Sequence, residues 1–599
     1  MFFQKELLVT HIFTFLFLTV WLYIKIKSDS PVFQSVPDLL AFGIVLLYGI
    51  SVFYGVNVRL AIAEFMKYAN YFAVYLLARD LCRGNEKNRK IILNILLCSG
   101  AIVALIGIGS AIGTFNYNGA FSGNRISSTF QYPNALAAYL CALMILSLGS
   151  LENCDNLKEK FFYGALANLM LFTFIPTFSR GMWLLAPVMF IIYLLLIPKN
   201  KKLASLLDGF IILMPAAVCS FLFIQSLEGG SDFLQWGLVL VSMGIAIGLT
   251  ALRQRYFDLS EKANQKRIWV AGAAGIAFVI IAGIVAFTAV EPLTLSNMGV
   301  EEDTSKSVLR DISKLEKEKE YVLKADVKAE NPQEKPYAGA INIYSFDQEG
   351  KSERLLTQSI GESGPVEMHF TVPADSEFVR FQFLNYYAET EVTFDQAALY
   401  DGQTGEKLKD LKLKYKYLPE RVISRLHSIS IKERSAQART TFYADALKII
   451  KDYPILGAGG GGWETLYFLY QSSMYWSTQA HNYFMQLWIE IGTLGLLVFA
   501  AFILMMLWNA WKMLRSMENS IEKFMQITIL MAWLTLLVHS AMDFDLSLGA
   551  LSIVLWTLMG TTIQQDRAFE KLQIKNQKAR YAFLLLPLVL FIGAGSLHL

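Results

Sequence analysis

Apolar runs long enough to cross a bilayer recur along almost the whole chain, and that leaves few folds open. A spanning helix needs roughly 20 apolar residues, because in lipid every backbone N–H and C=O must be paired inside the segment. Such runs lie near 7–25, 35–54, 60–78, 91–113, 133–150, 161–178, 182–197, 205–226, 233–252 and 268–290, then near 483–511, 523–541, 548–564 and 581–597. The expectation is a mainly α fold, a polytopic transmembrane bundle of about 14 helices. Of the 599 residues 54% are hydrophobic and only 17% charged, against about 25% charged in a soluble domain. The net charge of +3 lacks the basic surplus that a nucleic-acid partner calls for. Membrane lipids are the expected surroundings. The first run follows Lys5 and has no small-residue cleavage site, so it is expected to stay as an anchor.

Lys and Arg set the expected orientation. They gather in alternate loops: Lys25 and Lys27; Arg83, Lys87, Arg89 and Lys90; Lys199, Lys201 and Lys202; Arg253 and Arg255; Lys512 and Arg515; Arg567 and Lys571. That side is expected to be cytoplasmic. The opposite side then holds the N-terminus and the long polar stretch 291–480.

Four regions follow. Residues 1–290 are N-terminal transmembrane helices, and 483–599 are C-terminal ones. Between them, 291–418 alternates with period two in segments such as AGAINIYSF and EFVRFQFLNYY, split by turn signals such as DGQTG. An extracytoplasmic β-sandwich-like insert is expected. Residues 419–482 read as amphipathic helix, with Phe442, Leu447 and Ile450 on one face, ended by Pro454 and a glycine run from Gly457 to Gly462. All five cysteines precede residue 220, so the insert has no disulfide framework.

Six histidines are present. His11 and His598 belong to terminal apolar runs, His369 to a strand pattern and His427 to the amphipathic stretch. His539 sits near the outer end of a helix. His481, in Ala480-His481-Asn482, stands where the polar stretch meets a membrane helix. A neutral imidazole there can accept a hydroxyl proton; equally, it can cap a helix or touch headgroups. Arg125, Arg180 and Arg439 all fall on the expected outer side. Guanidinium is permanently charged and suits bidentate contacts to a diphosphate, or it snorkels to headgroups. The helix after Asn482 adds a positive dipole end. Asp543 and Asp545 can orient an arginine or the histidine, or be solvated. Gly457, Gly459 and Gly462 match a dinucleotide fingerprint only in spacing, with no βαβ unit around them. They read as a close-packing loop or as amides facing a ligand. No spacing suggests a metal site, and no cofactor is expected.

Together these pieces resemble the O-antigen ligase and Wzy-type polymerase superfamily of bacterial membrane glycosyltransferases. The likeness rests on RISSTFQYPNALA from Arg125, on Ser179-Arg180-Gly181, on Arg439 through Pro454 to the glycines, and on His481-Asn482 with Glu490, Gly492 and Gly495. It covers about 40–290 and 430–565; the insert lies outside it and looks like a carbohydrate-binding jelly roll. The resemblance implies a multi-pass protein of the bacterial cytoplasmic membrane. It implies a polyprenyl-diphosphate-linked glycan donor and a glycan, lipid or protein acceptor. It makes His481 the general base that activates an acceptor hydroxyl. Arg180 and Arg439 would bind the diphosphate, with Arg125 a third candidate and Asn482 a further substrate-binding residue. Rival readings are a lipid-linked oligosaccharide flippase, which would have no need of His481, and a protein O-oligosaccharyltransferase. A glycan sensor with an anchored insert would need only one or two helices.

Overall fold

Small polar residues ahead of the apolar runs set where the helices begin. Asn57, Asn85, Asn156 and Asn482 each accept a hydrogen bond from an N–H in the first helical turn, which satisfies a donor that the helix itself leaves open. Ser35 and Asp38 form a capping box with a proline at the helix start. The computed structural model describes residues 4–227, 229–256, 284–347, 351–418, 434–473, 477–518 and 520–562, with isolated positions beside them. It divides into two units, one of residues 1–267 and 428–599 and one of residues 268–427.

The first unit is helical. Before the insert come α1 (Gln4–Lys27), α2 (Val36–Ser51), α3 (Val58–Cys82), α4 (Glu86–Ile112), α5 (Pro133–Glu152), α6 (Leu157–Phe174), α7 (Arg180–Leu196), α8 (Lys199–Ser226) and α9 (Asp232–Tyr256). After it come α10 (Arg434–Asp452), α11 (Gly462–Tyr470), α12 (Tyr483–Ser516), α13 (Ser520–His539) and α14 (Gly549–Thr561). Each of these except α10 and α11 coincides with an expected span. The spans expected at 268–290 and 581–597 fall mainly outside the described residues. Among the described residues seven helices, namely α1, α4, α5, α8, α9, α12 and α13, are long and apolar enough to cross a membrane. The chain is thus a mainly helical, multi-pass membrane protein with a sheet-rich region.

Helix α5 is central. In its spanning window 89% of residues are buried, against 22% in α1. Small residues make this possible, since they let backbones approach closely. A Cβ on Gly149 of α5 would stand 2.3 Å from Thr528 of α13, and one on Gly560 of α14 would stand 2.6 Å from the Tyr75 carbonyl of α3. The outer faces are apolar: Phe17, Leu195 and Leu504 are 58%, 68% and 65% exposed. In water such a surface would aggregate; in lipid it is the expected one.

One face of α10 differs from expectation. Phe442, Ala446, Ile449 and Ile450 are buried, while Leu447 is 48% exposed. Five residues from Phe442, Leu447 is turned some 140° away, whereas offsets of four, seven and eight stay on one side. Residues 424–433, with His427, lie outside the described residues, as does His598.

The second unit is a β-sandwich. A four-stranded sheet runs β2-β7-β4-β5, from Lys306–Ser313, Phe378–Asn385, Gly339–Phe346 and Ser352–Ile360. A second runs β9-β8-β3-β6, from Lys407–Asp410, Glu391–Asp401, Glu320–Glu330 and Gly364–Thr371, with β1 (Leu293–Ser296) also on β8. All these pairings are antiparallel. Alternate residues face inward, so Phe381 and Phe383 of β7 meet Phe370 of β6 and Phe394 of β8 edge to face, at 5.7 and 5.1 Å.

Buried charge pins the helical unit at the end bearing Lys25. Asp38 is fully buried and receives Tyr75 Oη at 2.9 Å and the Arg79 guanidinium. Replacing one partner strands the other charge, at about 3–5 kcal/mol, whereas an exposed pair contributes about 0–1 kcal/mol. Arg79→Ala should therefore lower the unfolding midpoint in detergent by many degrees, and Lys90→Ala, which loses an exposed bond to Glu159, should barely move it. Equal shifts would contradict this account.

Candidate active site

A carboxylate with no exposed surface gathers the site. Asp543 lies in the loop after α13 and is 0% exposed. Tyr132 donates its hydroxyl to both oxygens, at 2.9 and 2.8 Å. Asn134 Nδ2 donates to Oδ2 at 2.8 Å, and Arg439 Nη2 to the same oxygen at 2.9 Å. His481 Nδ1 stands 3.4 Å from Oδ1, long for a hydrogen bond but close for a charge neighbour. Burial alone would push the Asp543 carboxyl up. The His481 ring and the Arg439 guanidinium reverse that and hold it well below the usual carboxylate range. It is therefore ionised at neutral pH. The same ion raises the Arg439 guanidinium against the opposing effect of burial, and burial together with Asp543 pushes the Tyr132 phenol well up.

Each partner is presented by local structure. Tyr132 and Asn134 flank Pro133, the first residue of α5, and Asn134 Nδ2 also donates to Tyr132 Oη at 3.0 Å. Arg439 comes from the same side of α10 as the buried Phe442 and Ala446, three and seven residues further on, and its side chain is 32% exposed. His481 has φ +51°, a left-handed conformation that costs a non-glycine residue of order 1 kcal/mol or more. Surrounding bonds hold it there. Tyr443 Oη donates to its carbonyl at 3.1 Å, Ala480 N donates to Gln486 Oε1 at 3.1 Å, and Tyr483 N donates to Ser540 O at 2.9 Å. The ring stacks on Phe442 at 5.4 Å and meets Phe544 edge-on at 4.9 Å. With Nδ1 turned to a carboxylate, Nε2 is left as the accepting nitrogen.

Asn482 has both ends of its amide engaged. Its Oδ1 accepts from Phe484 N and Met485 N at 2.9 and 3.1 Å, and its Nδ2 donates to Ala541 O at 2.8 Å. It caps α12 and ties that helix to the loop carrying Asp543. Arg125 donates to Thr177 O at 2.7 Å and to Asn134 Oδ1 at 2.9 Å. It joins the Tyr-Pro-Asn turn to the turn ahead of α7. Arg180 opens α7. A Cβ on the next residue, Gly181, would lie 3.6 Å from His539 Nε2, and His539 Nδ1 pairs with Asp545. The Asp545 carboxyl, also buried, is raised by that burial despite the His539 ring.

The glycine loop is packing. It inserts into a kink of α12 where Gly492 has φ +66° and ψ −172°. Ala458 N donates to Ile489 O at 2.7 Å, Gly459 N to Glu490 O at 2.9 Å, and Thr493 N to Pro454 O at 2.9 Å. A Cβ on Gly492 would stand 2.2 Å from Ile455 O. Glu490 fastens the same junction, accepting from Gly461 N at 3.2 Å and Tyr48 Oη at 2.7 Å. The Glu-x-Gly signal after His481-Asn482 thus has a structural cause: it locks the glycine loop onto α12, the helix that follows the histidine.

The structure brings Arg125, Arg439, His481 and Asn482 into one connected network, with Arg180 at its edge through Gly181 and His539. Sequence reasoning missed Tyr132 and the hub role of Asp543. Tyr132 stood inside a motif already singled out, and its signal was a polar residue on each side of a helix-starting proline.

Asn482→Ala removes a helix cap, an effect of about 0.5–2 kcal/mol. Amide exchange at Phe484 and Met485 should quicken about threefold or more, while exchange in α5 stays unchanged. Unaltered protection at both amides would remove the capping role.

Residues 406–500 match the family model described as O-antigen ligase. The matched stretch holds Arg439, the glycine loop, His481, Asn482, Glu490, Gly492 and Gly495. No curated protein matches the chain. The match covers residues 406–500 of the chain and supports the resemblance to the O-antigen ligase and Wzy-type superfamily.

Proposed function

We propose that this protein transfers a glycan from a polyprenyl-diphosphate carrier to an acceptor hydroxyl at the outer face of a bacterial cytoplasmic membrane. An O-antigen ligase domain in a multi-pass membrane protein supports glycan transfer by a ligase or polymerase in general. The finer reading is carried by one observation: a single buried carboxylate holds an imidazole and a guanidinium side by side.

In this reading His481 Nε2 takes the proton of the acceptor hydroxyl. The hydroxyl oxygen attacks the anomeric carbon while the bond from that carbon to the diphosphate breaks. The products are a new glycoside and free polyprenyl diphosphate, and the proton leaves His481 for solvent. A single displacement inverts the anomeric carbon. Asp543 keeps Nδ1 protonated and stabilises the imidazolium that forms. Arg439 and Arg180 face the leaving diphosphate, whose charge grows as the bond breaks. Arg125 supports the turn that carries Arg180, and Asn482 sets the angle at which α12 presents His481.

The acid–base function of His481 is testable by substitution. In proteoliposomes loaded with a polyprenyl-diphosphate oligosaccharide, His481→Ala should lower release of polyprenyl diphosphate by about 10²–10⁴-fold. The variant should elute as a folded species of unchanged size. Release at the wild-type rate would remove the assignment.

A further inference from the structure

The two outward surfaces of the β-sandwich differ in kind. On the sheet β9-β8-β3-β6 the outward side chains are charged or titratable and well solvated. Lys324 pairs with Glu367 at 2.9 Å, and His369 stands 3.0 Å from Glu320. A sheet face that meets only water has such a polar surface. On the sheet β2-β7-β4-β5 the outward positions hold rings, amides and guanidinium groups instead. Strand register sets them in rows. One row places Gln382 beside Asn342 and Asn342 beside Thr357. The next runs Asp311, Arg380, Tyr344, Arg354, and a third sets Phe378 beside Phe346. In the first row Thr357 Oγ1 donates to Asn342 Oδ1 at 2.8 Å, and Asn342 Nδ2 to Gln382 Oε1 at 3.0 Å. That chain of bonds ends at the half-buried Gln382, whose Nε2 has no partner among the described residues. In the second row Arg380 holds Asp311 through two bonds of 2.7 Å and lies 4.7 Å from the Phe346 ring centre. Arg354 is exposed, stands over the Tyr344 ring at 5.4 Å, and forms no ion pair among the described residues.

We infer that this face of β2-β7-β4-β5 binds a glycan that carries a carboxylate. Charge gives the sign of the ligand. Asp311 cancels Arg380, and Arg354 is left over in these rows. A guanidinium held over a ring keeps its donors for a carboxylate, which it meets through two parallel bonds. An anionic membrane surface calls instead for a cluster of Lys and Arg, and these rows have one surplus cation. The rest of the face matches a sugar. Amide and hydroxyl groups of Gln382, Asn342 and Thr357 complement ring hydroxyls. Tyr344, Phe346 and Phe378 add apolar surface for the C–H side of a sugar ring. Neighbouring strands lie about 4.8 Å apart, so one sugar unit reaches side chains on two strands. The choice of a glycan among carboxylate-bearing ligands rests on the transfer reading above; the place and the sign of the ligand do not.

The test is a binding measurement on the full chain in detergent. The probe is oligogalacturonate, and its methyl ester supplies the same backbone without charge. The wild-type chain should bind the acid about tenfold more tightly than the ester, the equivalent of one charge-assisted hydrogen bond. Arg354→Gln removes the charge at an exposed position, where the fold does not depend on it, and should erase that difference. Gln382→Ala should weaken both probes about tenfold. Lys324→Ala, on the outward face of the other sheet, should change neither. No binding of the acid, equal affinity for acid and ester, or indifference to Arg354→Gln overturns the site. So does binding to vesicles of anionic phospholipid that Arg354→Gln abolishes, because the face would then be a headgroup surface. Release of polyprenyl diphosphate is measured separately. Its absence defeats the transfer reading, while a preference for the acid that Arg354→Gln erases still upholds the sheet face.

Discussion

One buried negative charge governs the architecture of the candidate site. A carboxylate without solvent is stable only when opposite charge and hydrogen bonds surround it, and Asp543 draws those from three parts of the chain: Tyr132 and Asn134 at the start of α5, Arg439 on α10, and His481 before α12. The outermost of these residues, Tyr132 and Asp543, lie 411 positions apart in the chain, and all of them converge on the carboxylate. In the proposed reaction the same ion would match the charge that a proton leaves on His481.

Convergence at one atom requires rigid supports, and these are the features that looked most like signatures. Asn482 caps α12, Glu490 and the kink at Gly492 lock the glycine loop onto it, and the left-handed turn at His481 aims the ring. Backbone strain at a histidine persists only where its neighbours over-determine it. Here hydrogen bonds from Tyr443, Ala480 and Tyr483 do so.

The fold was legible because hydrophobic length is a direct consequence of bilayer thickness, and period-two alternation of a half-buried strand. Helices α1 to α9 and α12 to α14 begin within six residues of where apolarity places them. The candidate site was legible only by residue type. His481 and the arginines were exposed by their cost in or near lipid. Asp543 was not, because an acidic residue in a loop usually points to water, and only tertiary packing shows that this one does not. Tyr132 had no marker other than its neighbours. Leu447 failed for a simpler reason: an offset of five residues from Phe442 lies on the wrong side of a helix, and hydrophobicity alone hid that.

The central claim is that His481 and Asp543 act as one unit. A double-mutant cycle on polyprenyl diphosphate release tests it most directly. Groups that work as a unit give strongly non-additive losses. His481→Ala combined with Asp543→Asn should be no slower than His481→Ala alone. Losses that multiply would mean that the two side chains act independently, and the account built on their pairing would be wrong.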